Sequence, residues 1–219
     1  MYDIETKRSI SQIIEEIIKR EEERSNRATT FRETPLLKNI HQMLKTGLDE
    51  ERDSLLFAYD VYLFLSEQYA YLGRMSIAAD YHFEALLIAA SLYNKYAIKK
   101  EDIADVFYML LEERNFYIDD NCEDVLAILE KTPLIAQEKI REIYSNRMNN
   151  RRHLKHDPVE MSKEYLDVID EVEEKIEQNR TLRGLGSCHE IWMLKCKFLA
   201  EKGIIWKSPA LLNPRVMFD

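Results

Sequence analysis

The stretch Tyr62 to Ala90, YLFLSEQYAYLGRMSIAADYHFEALLIAA, carries the reading of the fold. It sets aromatics at Tyr62 and Tyr69, an apolar-small pair at Leu65 and Ser66, a glycine at Gly73, and alanines at Ala78 and Ala85. Small residues on two facing helices let their backbones approach closely, aromatics wedge against the next layer, and a glycine permits the tight turn between them. The stretch therefore predicts a helical hairpin, with helices over about 49–74 and 75–96.

Outward from this hairpin the chain continues to read as helix. Ile10, Ile13, Ile14, Ile17 and Ile18 recur at helical spacing and form one stripe, followed by a charged, solvated run from Lys19 to Arg27. Thr34-Pro35, Thr132-Pro133 and Asp157-Pro158 each place a capping side chain before a residue suited to a first helical turn. Helices are expected over 34–45, 101–117, 122–131, 133–149, 158–179 and 187–202. In the 158–179 helix, Met161, Tyr165, Val168, Val172 and Ile176 form the expected buried stripe. Trp192, Cys196, Leu199 and Gly203 repeat the spacing of Tyr62, Ser66, Tyr69 and Gly73, with Lys195 where an apolar residue belongs. No alternating run of strand length stands out, so the fold class is all-α.

Composition agrees. Gly and Pro number five each, 46% of the 219 residues are hydrophobic and 32% are charged, a balance suited to amphipathic helices. The formal net charge of −9 disfavours broad binding to nucleic acid or anionic lipid. Three cysteines, Cys122, Cys188 and Cys196, cannot all pair, which points to reduced thiols in a cytoplasmic protein. Acids close to Met1 and the shortness of the longest apolar run, Ala85 to Ala90, argue against a leader and against membrane insertion.

Residues 62–90 resemble one tetratricopeptide-type repeat, with pattern W-x-x-L-G-x-x-Y on a first helix and A-x-x-x-F on a second. Tyr62 takes the place of the tryptophan, His82 that of the usual aromatic and Ala90 that of the closing proline. The resemblance covers about one repeat. It implies antiparallel hairpins stacked as an array, a single domain over 1–203, and a concave face for a protein or peptide partner. Tyr62, Tyr69 and His82 are the binding candidates on the hairpin, with Arg151 and Arg152 as a secondary electrostatic site. Tyr59, Tyr71, Tyr81 and Phe83 read first as core. No cofactor and no metal is expected. A homo-oligomer built by pairing the Ile10 to Ile18 stripe with a second copy is a further possibility.

Arg147, Arg151, Arg152, His153, Lys155 and His156 gather without an acid. Cations at the C-terminus of a helix complement its dipole, which accounts for most of them. Arg151-x-x-x-x-His156 also resembles the R-x4-H motif of HEPN-type ribonucleases. That resemblance implies His156 as acid or base on a ribose 2′-OH and Arg151 on the phosphate, without a metal. Here Arg152 departs from the small polar residue usual after that Arg. His153, His156 and Asp157, or Cys188, His189 and Cys196, have poor spacing for zinc. Asp119, Asn121, Glu123 and Glu130 fit a calcium loop except at the sixth place, where Asp124 replaces glycine. No phosphate loop, nucleophile elbow or H-E-x-x-H pair appears.

Residues 204–219 hold Trp206, Pro209, Leu211, Leu212, Pro214, Val216 and Phe218 and few charges. So apolar a tail is expected to dock in extended form on a helical groove, within one chain or exchanged between two, with Trp206 as its anchor. Its sequence is also similar to the C-terminal segments of small uncharacterised bacterial proteins, which implies a bacterial cytoplasmic origin and no activity.

Overall fold

The computed structural model describes residues 4–24, 29–47, 51–117, 154–184 and 186–218, and every regular element among them is helical. In chain order these are α1 (Ile4–Glu22), α2 (Thr34–Gly47), α3 (Arg52–Tyr71), α4 (Met75–Tyr96), α5 (Ile103–Tyr117), α6 (Lys163–Asn179), α7 (Ser187–Glu201) and α8 (Pro209–Leu212). Short 3-10 turns occur at Phe31–Glu33 and Pro158–Met161. None of the described helices is long and apolar enough to cross a membrane. The helices expected over 122–131 and 133–149 and the calcium-loop residues lie outside the described residues.

The chain divides into two compact units, Met1–Asn115 with Asp119–Arg151, and Phe116–Ile118 with Arg152–Asp219. This differs from the expected single array over 1–203 with a separate tail: the tail belongs to the second unit. In the first unit α3 and α4 pack along their length as an antiparallel hairpin. Ala78 and Ala85 are fully buried, and Gly73 turns the chain at φ +70°. There Arg74 N–H donates to the Tyr69 carbonyl at 2.9 Å, closing α3 with a Schellman motif. The isoleucine stripe of α1 is consumed inside this unit. Ile10 and Ile17 are fully buried, Ile13 and Ile14 pack beside them, and Ile18 alone of the five is largely exposed. Little of the stripe is left to pair with a second copy.

α2 starts at Thr34 as expected, but Thr34 is not its cap. Thr34 is already helical, and the preceding turn is held by Glu33, whose carboxylate accepts from the Thr30 N–H, the Thr30 hydroxyl and Arg24 Nη1, each at 2.9 Å.

In the second unit Asp157 caps the 3-10 turn, its Oδ1 accepting from Val159 N–H at 3.1 Å. The turn does not run on into α6. Ser162 takes an extended conformation and caps α6 afresh, its hydroxyl accepting from Tyr165 N–H at 3.2 Å. That restart resets the helical phase, so the buried stripe is Tyr165, Ile169, Val172 and Ile176, with Met161 and Val168 only partly covered. These residues pack against Phe198 and Leu199 of α7 and against Ile204 and Trp206. The spacing echo with α3 is realised at the helix end: Gly203 has φ +79° and Ile204 N–H donates to the Leu199 carbonyl at 2.9 Å.

Candidate functional site

The hairpin residues proposed for binding lie inside the first unit. Tyr62, Tyr69 and His82 are buried, so none is on a surface that a peptide could touch. The Tyr81 ring lies against the two tyrosines, 6.0 Å from Tyr62 and 5.5 Å from Tyr69, and is 5.3 Å from His41. Burial, with Glu84 nearby, pushes the Tyr62 hydroxyl up to about 12, and burial pushes Tyr81 higher still. These phenols are neutral wedges between helices. His82 bridges outward from α4 to Ser66 on α3 and to Glu113 on α5, through contacts of 3.0 and 2.7 Å. Nothing local in the sequence marks Glu113, which pairs with a residue 31 positions away.

In the second unit Trp206 is buried, and its Nε1–H donates to Glu160 Oε1 at 2.5 Å. Glu160, itself buried, lies 3.7 Å from Lys195 Nζ through the same oxygen and 4.0 Å from His156 Nδ1 through the other. Lys195 stands over the rings of Trp206 (4.5 Å) and Tyr165 (5.2 Å). Its stem thus covers apolar surface while its ammonium meets aromatic faces, which explains a lysine at the place where the spacing echo calls for an apolar residue. Asp157 Oδ2 accepts from Lys207 N–H at 2.7 Å, and the Cys196 thiol donates to the Trp206 carbonyl at 3.6 Å. Asn213 makes a reciprocal pair with Lys155: its Oδ1 accepts from the Lys155 N–H at 2.8 Å and its Nδ2 donates to the Lys155 carbonyl at 2.9 Å. Phe218 meets Trp192 edge-on at 5.1 Å.

The tail is therefore docked, with Trp206 as its anchor, but it is not extended throughout. Ser208 caps the single turn α8, and Leu211 and Val216 of the apolar tail are exposed. The apolar side chains alternate sharply at the anchor: Ile204 and Trp206 face the core while Ile205 is 84% exposed.

Of the basic cluster, Arg151, Arg152 and His153 lie outside the described residues. His156 occupies a non-helical connection before the 3-10 turn. Burial holds its imidazole below the usual value, with Glu160 pulling up and Lys195 pushing down, so the ring is neutral at pH 7. Among the described residues no three His, Cys, Asp or Glu side chains gather as a metal-binding group. His189 Nε2 lies 3.3 Å from the Phe218 carbonyl and Cys196 is engaged with Trp206, so neither converges on a shared ion. Two residues that organise this unit, Glu160 and Asn213, were passed over by sequence reasoning, and Lys195 was marked only as a departure from the spacing echo. Glu160 follows Asp157 by three places, a spacing that could have flagged it as part of a helix start.

Comparison with protein-family models, with curated proteins and with solved structures finds no match.

Proposed function

We propose that the chain is a protein- or peptide-binding helical scaffold with a tetratricopeptide-like arrangement of hairpins, working in a bacterial cytoplasm. The observation that carries this reading is the combination of a locked tail with outward apolar side chains. Ile205, Leu211 and Met217 are 84%, 67% and 90% exposed. The backbone bearing them is fastened by Trp206 to Glu160, by Lys207 to Asp157 and by Asn213 to Lys155. Apolar anchors held on a pre-ordered backbone lose little conformational entropy on association, which favours binding. The Cys196 thiol, reduced and hydrogen-bonded to the Trp206 carbonyl, suits a reducing compartment.

The test is affinity capture from native cytoplasm with the full chain and with an Ile205→Ser/Leu211→Ser/Met217→Ser variant, both checked for fold by circular dichroism. A defined species retained by the wild type and lost by the variant supports the reading. No species above control, or equal capture by both, removes it. Cleavage of RNA in the presence of a chelator, abolished by His156→Ala, would instead favour the ribonuclease built on Arg151 and His156.

A further inference from the structure

The corner of the second unit around the tail sorts its charges by sign. The acids Asp157 and Glu160 are buried, the first accepting from the Val159 and Lys207 N–H groups and the second from the Trp206 indole. The bases turn outward: Lys155, Lys207 and Arg215 are all exposed. Between Glu201 and Asp219 the chain holds Lys202, Lys207 and Arg215 and no acid, although the net charge of the whole is −9.

The same backbone sets apolar side chains among these bases. Residues 204–207 are non-helical and alternate between buried and exposed, so Ile205 and Lys207 stand two places apart on one outward side. Asn213 gathers the next group. It bonds the Lys155 backbone in both directions, and its carbonyl accepts from Val216 N–H at 3.0 Å, which closes the turn that carries Arg215. Leu211, Val216 and Met217 are exposed on this stretch. Cations beside aliphatic anchors on a fastened backbone suit a partner that offers carboxylates with apolar side chains between them.

Resting on the binding role given to the tail above, we propose that the partner is a linear acidic segment. Its Asp and Glu side chains meet Lys155, Lys207 and Arg215, and its interspersed apolar side chains meet Ile205, Leu211 and Met217. The exposed anchors are aliphatic, whereas unpaired nucleic-acid bases are held by stacking on aromatic rings, so RNA fits this surface poorly. A flat anionic membrane fits it poorly too. Glu171 bonds Lys202 at 2.6 Å, three residues before Ile205, and belongs to an outer face of α6 that also exposes Glu164, Asp167 and Glu174. A broad negative surface laid on Ile205 meets these acids, while a narrow segment passes beside them. Two tails set face to face would bring like charges together, which disfavours a symmetric pairing of copies.

The experiment is selection of a random peptide library, displayed on phage, against the full chain and against a Lys155→Glu/Lys207→Glu/Arg215→Glu variant checked for fold by circular dichroism. Peptides retained by the wild type are expected to be richer in Asp and Glu than the starting library, with Leu, Ile, Phe or Met among the acids. A synthetic copy of the most enriched peptide should bind the variant at least about fivefold more weakly, and should weaken on the wild type as sodium chloride rises from about 50 mM to about 500 mM. Retained peptides without an acidic bias, or equal binding to the variant, overturn the acidic partner while leaving the peptide-binding reading in place. Retention of no peptide overturns it as well, whatever the capture from native cytoplasm returns. Sedimentation of the full chain with phosphatidylglycerol vesicles in place of peptide retention assigns the surface to anionic lipid and overturns both readings.

Discussion

Replacing Trp206 with alanine tests the docking of the tail most directly. The indole is 6% exposed and packs with Tyr165, Ile169, Val172, Ile176, Phe198, Leu199 and Ile204. A buried tryptophan removes about 150–250 Å² from water, and truncating such a residue costs about 3–5 kcal/mol. The loss also strips Glu160 of its hydrogen-bond donor at 2.5 Å, leaving a buried carboxylate short of a partner, which adds about 1–3 kcal/mol. Trp206→Phe separates the two contributions, since it keeps most of the packing and loses the donor. The expected order is a loss of about 4 kcal/mol or more for alanine and about 1–3 kcal/mol for phenylalanine. Leu211→Ala, at an exposed position of the same tail, should stay within about 0.5 kcal/mol. Urea unfolding followed by fluorescence suits the measurement: in both Trp206 variants Trp192 is the one tryptophan left of the chain's two, and it lies in the same unit. A loss below about 1 kcal/mol for Trp206→Ala, or equal losses for Trp206→Ala and Leu211→Ala, would refute the reasoning that burial of the indole holds the tail.

Other outcomes follow from backbone and charge. Ala97 closes α4 at φ +56°, a left-handed conformation that costs a residue with a Cβ about 1–2 kcal/mol, so Ala97→Gly should stabilise by up to about 1 kcal/mol in denaturant unfolding. Gly73→Ala, at φ +70° with open space around the new methyl, should cost a similar amount through strain alone. Burial by itself would raise the Glu33 carboxyl, but the Thr30 N–H and hydroxyl and the Arg24 guanidinium outweigh it and hold the group below the usual value. Its stabilisation is complete above the usual carboxylate range and is lost as pH falls through that lowered value; Glu33→Gln should therefore flatten this part of the acid limb in a pH-resolved melting series.

The helices were legible because apolar spacing is a one-dimensional signal. The stripe of α1, the hairpin of α3 and α4 and the glycine at position 73 all lie where local pattern places them. Boundaries were harder where two signals compete. Thr34-Pro35 reads as a helix start, yet the chain is already turning from Thr30, whose T-x-x-E spacing to Glu33 is the better cap. The Ala97 turn has no glycine to announce it. Whether an aromatic faces inward or outward is not a local property, which is why Tyr62 and Tyr69 read equally as groove or core and prove to be core. The site's partnerships span long stretches of chain: Trp206 meets Glu160 across 46 residues and His82 meets Glu113 across 31. No spacing rule reaches that far.

The reciprocal bonds between Asn213 and Lys155 set two points 58 residues apart in the chain side by side in space. An amide side chain that both gives and takes a hydrogen bond imitates the backbone of a neighbouring strand, so the segment enters and leaves through one doorway. A piece of protein with adjacent entrance and exit behaves as a cassette. It can be spliced into an exposed loop of an unrelated host without prying the host apart, since the host need only bridge the width of one hydrogen-bonded pair.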